Sequence, residues 1–318
     1  MKVRCRDLGP MDYTACWELQ RTLFEELLAE KNRQRNGCGA KESGPAADKT
    51  DTRPDDVGTV LLVEHPPVYT LGKSGHAENL LVGRTALEQL GAQFFHIDRG
   101  GDITFHGPGQ LVCYPILDLE RLGIGLREYI GRLEETVIRV VAHYGIAAGR
   151  IDGASGVWLG GASEQRRAET ERNAEETDGR NAAERNAAES KDAESKDAET
   201  DGRNAAEENV AEDQTSEKSA KKERSAGKST EETVRIKRDA PRKICAIGVR
   251  SSRYVTMHGF ALNVDTDLEW FSRINPCGFS DRGVTSMARE TRREVAMEEV
   301  KRLVLEELGE QLGVEIRI

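Results

Sequence analysis

A chain of 318 residues can hold two ordinary domains or one larger one. Its 46 basic and 56 acidic side chains leave a formal charge of −10, which gives no support for nucleic-acid binding. No stretch approaches the roughly 18 apolar residues of a membrane span. The opening Met1-Lys2-Val3-Arg4-Cys5-Arg6-Asp7-Leu8-Gly9-Pro10 carries no apolar signal core, so no membrane partner and a cytoplasmic location are expected.

Asp12 is placed to cap a helix from about Tyr13 to Glu30, with Tyr13, Cys16, Trp17, Leu23, Phe24, Leu27 and Leu28 on one face. Residues 31–58 lose that periodicity and collect Gly, Pro, Asp, Lys and Asn, the composition of a long surface loop. Thr59–Glu64 reads as a buried strand, His65-Pro66-Pro67 breaks it, and Val68–Gly72 resumes an extended path. A short helix is expected over Arg84–Leu90, then strands over Gln93–Ile97 and Leu111–Leu117. Leu126, Ile130, Leu133, Val137, Val140, Val141 and Tyr144 mark a second amphipathic helix, closed near Gly145. Further strands are expected over Gly156–Leu159, Lys243–Arg250 and Tyr254–Val264. Helical stretches follow near Leu268–Ile274 and over Arg292–Leu308.

Between Ala162 and Ala240 there is no Leu, Phe, Trp, Tyr, Met or Cys, while 22 acidic and 16 basic residues accumulate. The octamer Thr177–Glu184 recurs at 200–207, and Ala-Glu-Ser-Lys-Asp stands in tandem over 188–197. Such a segment cannot bury enough apolar area to offset the entropy of ordering it. It is expected as a low-complexity, disordered insert over 162–240, leaving 1–161 and 241–318 as one domain. Strands 156–159 and 243–249 would then form a hairpin whose turn the insert replaces. Lengthening a turn from about 5 to about 80 residues costs about 2.4 kcal/mol of closure entropy, which a domain of this size tolerates. The six cysteines, Cys5, Cys16, Cys38, Cys113, Cys245 and Cys277, are scattered and show neither zinc spacing nor a disulfide framework.

One stretch stands out: Arg99-Gly100-Gly101-Asp102-Ile103-Thr104-Phe105-His106-Gly107-Pro108-Gly109-Gln110. Four glycines in twelve residues predict a shaped loop whose backbone can approach a ligand closely. Their spacing fits neither a P-loop nor a dinucleotide fingerprint.

This stretch, followed by Tyr114-Pro115, resembles the signature of the lipoyl (octanoyl) transferases, the LipB-type enzymes. The resemblance extends through Glu64-His65-Pro66-Pro67-Val68-Tyr69-Thr70-Leu71-Gly72, Gly156-Val157-Trp158, Lys243–Arg250, His258–Val264 and Pro276-Cys277-Gly278. In order and spacing these blocks cover most of residues 1–30 and 59–310 outside the insert. The resemblance implies a mixed α/β fold, a sheet flanked by helices as in biotin- and lipoate-protein ligases. It implies transfer of an octanoyl group from octanoyl-acyl carrier protein to a lysine of lipoyl domains, those of the 2-oxoacid dehydrogenases and the glycine cleavage H protein, without cofactor or metal. The family's nucleophile falls on Cys277 and its activating lysine on Lys243. The substrate-lining segments fall on Arg99, Gly100, Gly101, Asp102, Ile103, Thr104, Phe105 and His106, on Ala246, Ile247 and Gly248, and on Gly259, Phe260 and Ala261.

These residue types suit such chemistry. A thiol of pKa about 8.5 is only a few per cent thiolate at neutral pH, so the nucleophile benefits from a neighbouring base or cation. Lys243 can serve as a neutral base or as the ammonium of an ion pair, and the sequence leaves both open. Backbone N–H groups near Gly278 or in the glycine loop are the expected oxyanion donors, while Arg99, Thr104 and His106 are expected to orient the pocket. Two other readings differ in their requirements. An ATP-dependent lipoate-protein ligase on the same fold would need no cysteine nucleophile. A non-catalytic carrier-binding protein would not need Lys243 and Cys277 together.

Overall fold

The computed structural model describes residues 1–35, 56–160, 240–275 and 282–318. One compact unit spans Met1–Glu164 and Ala240–Ile318; Gln165–Asp239 lie outside the described residues, and the expectation of a disordered insert falls there. In chain order this unit runs β1 (Lys2–Pro10), α1 (Tyr13–Arg35), β2 (Asp56–Glu64), β3 (Val68–Leu71), α2 (Arg84–Gln89), β4 (Gln93–His96), β5 (Ile103–His106) and β6 (Gln110–Leu117). It continues with α3 (Leu119–Leu122), α4 (Leu126–Ala142), β7 (Gly149–Ile151), β8 (Ala154–Leu159), β9 (Arg242–Ser252) and β10 (Val255–Asn263). A 3-10 helix (Leu268–Arg273), β11 (Gly283–Val284), α5 (Met287–Thr291), α6 (Met297–Leu312) and β12 (Glu315–Arg317) complete it.

The large mixed sheet has the order β12-β1-β2-β6-β10-β9-β8-β7, with β11 paired to β9. Its inner strands β6 and β10 are buried along their whole length, so their near-continuous apolar runs have two faces to cover. On one face Leu133, Val137, Val140 and Val141 of α4 and Val300, Val304 and Leu308 of α6 bury against Val60, Leu62, Leu111, Phe260 and Leu262. On the other, Cys16 and Phe24 of α1 meet Leu61, Val63, Val112, Tyr114, Met257 and Ala261. A small sheet, β4-β3-β5, has its own core of Tyr69, Leu71, Leu87, Ile103 and Phe105.

Three boundaries differ from the sequence expectation. Helix α1 continues to Arg35, and β2 begins at Asp56, so only 36–55 remains of the expected loop, and it lies outside the described residues. The cause is tertiary: Lys31 is buried and its ammonium lies 2.6 Å from Asp118 and 2.7 Å from Glu120. Asp118 in turn caps α3. The C-terminal helix starts at Met297, because Arg292 takes a left-handed φ of 55° and ends a separate short helix, α5. The expected glycine loop contains a strand, β5, which pairs antiparallel with β3 from Val68↔His106 to Leu71↔Ile103. Strands β1 and β12 have no counterpart in the sequence expectation, although β1 buries Val3 and Cys5 between exposed Arg4 and Arg6. The expected hairpin of β8 and β9 is present, pairing Trp158 with Lys243 and Leu159 with Arg242. Cys5, Cys16, Cys113 and Cys245 are free, buried thiols; Cys38 and Cys277 lie outside the described residues.

Pro115 interrupts the central sheet, because a proline has no N–H for the ladder. Strands β6 and β10 keep one register on both sides of it, Cys113 facing Phe260 and Asp118 facing Val255. Buried Thr256 spans the gap: its hydroxyl donates to Pro115 O (2.9 Å) and accepts from Leu117 N (3.0 Å). Thr256→Val keeps the shape but strands a buried N–H, so unfolding in urea should show a loss of about 1–3 kcal/mol with an unchanged m-value.

Candidate active site

On the face of the large sheet that carries α1, three cross-strand rows lie side by side. Val112, Ala261 and Ala246 form one row, and Gln110 and Asn263 lie next to it on one side. On the other side Gly259 faces Gly248. The facing pair Ala261 and Ala246 leaves a trough where larger side chains would fill the surface, and the facing pair Gly259 and Gly248 lies one step along the strands. Each glycine is fixed by protein contacts. A Cβ on Gly259 would lie 2.1 Å from Cys113 O and 2.7 Å from the Pro115 ring, and one on Gly248 would lie 2.9 Å from Gly100 O.

The stretch from Arg99 to Gly101 lies directly over this sheet. Gly100 N donates to Val249 O (3.0 Å), so this N–H is engaged within the fold and does not serve as the expected oxyanion donor. Arg99 is buried, and its guanidinium donates to Thr70 O (2.8 Å), Thr70 Oγ1 (3.1 Å), Asp102 O (2.7 Å) and Gly100 O (3.0 Å). Asp102 accepts from Ile103 N (2.7 Å) and Asn79 Nδ2 (2.6 Å). Gly248 and Gly72 admit this stretch, since the carbonyl oxygens of Gly100 and Gly101 lie 2.9 and 2.2 Å from where their side chains would begin.

The roof and floor enclose a cavity of about 950 Å³ of atom-free space, counted to its open mouth. Of the expected site residues, Lys243, Arg99, Gly101, Asp102, Ile103, Thr104, His106, Ala246, Ile247, Gly248, Gly259, Phe260 and Ala261 line it. Ile247 and Phe260 belong by their side chains to the core on the opposite face. Gly100 and Phe105 are not among the lining residues. The Phe105 ring stacks on Trp270 (centroids 5.1 Å apart, planes at 4°) and packs edge-on to Phe271, beneath the cavity roof. Cys277 lies outside the described residues.

Residues the sequence reading did not assign also line the cavity, among them Tyr13, Gln110, Tyr114, Trp158, His258, Asn263 and Arg282. Most stand inside the quoted motif blocks, so position beside the assigned segments was the available signal. Tyr13 had none, because its ring sits at the start of a helix that reads as core.

At one end, Lys243 Nζ lies 4.5 Å from the centroid of the Trp158 ring, and the Arg282 guanidinium carbon lies 5.4 Å from the same centroid. Trp158 is held by its Nε1 donating to Ala154 O (3.2 Å). A register shift between Val157 and Trp158 sets this ring beside Lys243. On the other edge of β9, Val284 pairs with Lys243, and Thr285 N donates to Lys243 O (3.0 Å). Lys243 is thus paired with a residue seven positions after Cys277 in the chain.

The histidines around the cavity are neutral. His65 Nδ1 lies 2.8 Å from Met11 O, so that nitrogen carries the proton and Nε2 accepts from Tyr114 Oη (3.0 Å). Gln110 donates its amide to Phe105 O and Asn263 Oδ1, so its Oε1 accepts from His106 Nδ1 (2.8 Å). Burial lowers the pKa of His106 to about 3 and lowers those of His65 and His258. His258 bonds Asp98 (3.2 Å), and the same carboxylate pairs with Arg250. The bond to His258 is the main cause holding Asp98 below its usual pKa.

The catalytic-domain model of the lipoyl protein ligase A/B family matches residues 12–168 and 197–309. An octanoyltransferase of Bacteroides fragilis is 39% identical over 312 residues, covering 98% of this chain and 97% of that protein. One of Bacteroides thetaiotaomicron is 39% identical over 98% of this chain and 96% of its own. This chain belongs to the octanoyltransferase family. Solved structures give the family's fold. A putative lipoate protein ligase of T. acidophilum, Ta0514, superposes with a TM-score of 0.51 at 12% identity, covering all of this chain and 88% of that one. A lipoate-protein ligase A bound with ATP gives 0.51 at 13% identity with the same coverage. The fold is therefore the lipoate-ligase type, a large sheet flanked by helices. No helix among the described residues is long and apolar enough to cross a membrane.

The neutral histidines have a pH signature. A histidine whose folded pKa is depressed binds its proton more readily in the unfolded chain, so stability is complete above the unfolded value of about 6.5 and falls as pH drops toward the folded one. Unfolding free energies measured between pH 7 and 5, above most carboxylate titration, should decline. His106→Gln should flatten that decline; an unchanged slope would show that His106 does not contribute.

Proposed function

We propose that this protein transfers an octanoyl group from octanoyl-acyl carrier protein to a lysine side chain of a lipoyl domain, through a thioester on Cys277. The acceptors are the lipoyl domains of 2-oxoacid dehydrogenases and the glycine cleavage H protein, and the setting is the cytoplasm. Near-full-length relatives named octanoyltransferases support the reaction class. The observation that carries the reading is the placement of Lys243, whose amino group lies over Trp158 at one end of a trough of alanines and glycines.

In this reading the Cys277 thiolate attacks the thioester carbonyl of the carrier, and the carrier's thiolate leaves and is protonated by the Lys243 ammonium. Thioester exchanges for thioester, a near-isoenergetic step. The acceptor amine then attacks the acyl-Cys277 carbonyl, the Cys277 thiolate leaves, and neutral Lys243 takes the amine proton. Amide replaces thioester, which is downhill, so no nucleotide is consumed. Arg99 acts at a distance from this chemistry, tying the loop that bounds the trough to β3 through its bonds to Thr70.

Incubation with octanoyl-acyl carrier protein should add one octanoyl mass to the intact protein, and Cys277→Ala should abolish it. No adduct in the wild type, or an equal adduct in Cys277→Ala, would overturn the mechanism. Lys243→Met should lower turnover by about 10²- to 10⁴-fold, the usual range for loss of an acid–base group.

The insert is proposed to be dispensable. Because β8 and β9 pair directly, replacing 162–240 by a short Gly/Asn turn should leave turnover within a few-fold. Collapse of activity with an intact far-UV spectrum and melting transition would refute this.

A further inference from the structure

The cavity treats its two sides differently. On the β9–β10 side the floor is the facing pair Ala246 and Ala261, which are small and apolar. On the β6 side stand Tyr13 and His106, both more than nine-tenths buried, with rings stacked at 10° and 6.3 Å between centroids. Among the described residues, neither the Tyr13 hydroxyl nor His106 Nε2 has a hydrogen-bond partner, although both residues line the cavity. A methylene chain laid against these two atoms would bury them unpaired, which disfavours that side. Laid over the alanine pair, it buries apolar surface against apolar surface.

The trough is also closed at one end. One step along the strands, Gly248 faces Gly259, and the space a side chain would take on Gly248 is occupied by Gly100 O at 2.9 Å and Arg99 Cδ at 3.0 Å. Lys243 stands at the opposite end, five residues back along β9, a span of about 17 Å at the usual strand rise. The room for an apolar chain is bounded by a lysine at one end and the Arg99 loop at the other.

We infer that the facing pair Ala246 and Ala261 selects the acyl chain, its small side chains admitting a medium-length methylene chain that the Arg99–Gly100 wall then stops. This rests on the reading of the cavity as an acyl site. It adds which two residues decide the length, a role distinct from the chemistry at Lys243. A branched side chain at either position would fill the trough partway along, so it would reject long chains while leaving short ones room. Deleting the Ala246 methyl would act in the opposite sense. Valine is a favoured strand residue, so the sheet should accept it.

The test compares butanoyl, octanoyl and decanoyl groups on one carrier protein, with binding of free butanoate, octanoate and decanoate by calorimetry as a readout independent of turnover. Ala246→Val and Ala261→Val should each lower the octanoyl-to-butanoyl ratio of kcat/KM at least tenfold. Ala246→Gly should raise the decanoyl-to-octanoyl ratio. The free acids should follow the same order. Unchanged ratios in folded variants would overturn the assignment, as would equal losses for every chain length. If the wild type binds octanoate but transfers nothing from the carrier, the proposed donor is wrong, and the binding ratios still decide the role of the pair.

Discussion

The site depends on one chain of hydrogen bonds that crosses the central sheet. Lys243 O accepts from Thr285 N, Thr285 O accepts from Asn263 Nδ2, Asn263 Oδ1 accepts from Gln110 Nε2, and Gln110 Oε1 accepts from His106 Nδ1. Each side-chain amide is oriented by both neighbours, so no member can turn without leaving a buried group unpaired. The backbone of Lys243 and the imidazole of His106, on strands separated by β6 and β10, are thereby held in one frame. The same chain sets the His106 tautomer and leaves Nε2 as the atom facing the cavity.

A second constraint comes from covalent geometry. Pro115 removes an N–H from the middle of the sheet, and its ring lies where a side chain on Gly259 would project. The glycine follows from the proline, whose ring and the neighbouring Cys113 O leave no room for a side chain there. Thr256, opposite Leu117 on β10, accepts from Leu117 N and donates to Pro115 O, so both groups beside the gap are paired. The resemblance to known enzymes pointed to Tyr114-Pro115 and to His258-Gly259-Phe260-Ala261 as separate blocks. In the fold they form one local structure, in which each block accounts for the residues of the other.

Much of the fold was legible because local rules and tertiary demands agree. The centre of the α4 stripe, Leu133, Val137, Val140 and Val141, and the apolar runs of β2, β6 and β10 are buried as expected, while Leu126 at the start of the stripe is exposed. The misreadings arose where a distant partner decided the outcome. The last turn of α1 looks like loop until Asp118 supplies the partner of Lys31, 87 residues away. The strand Ile103–His106 is masked by flanking glycines, because its pairing with β3 and its stacking on Trp270 are both non-local. The assigned site was largely legible as a set of motifs. Which atoms face the cavity was not, since Ile247 and Phe260 alternate away from it while the neighbouring alanines and glycines form its floor.

The position of Lys243, three residues beyond the low-complexity segment, raises the question of what holds it in place. The answer lies on both edges of β9. Trp158 pairs with Lys243 from β8, and Val284 pairs with it from β11. The preceding residue, Arg242, pairs with Leu159 and Gly283, and its guanidinium bonds Glu290 of α5 at 3.0 and 3.1 Å. The Thr285 hydroxyl donates to the same Glu290 Oε1 that accepts from Arg242 Nε, at 2.5 Å. The strand is therefore clamped at Arg242, its first residue, immediately before Lys243. The Lys243 ammonium lies over the Trp158 ring, and the two flanking strands hold its backbone from both sides.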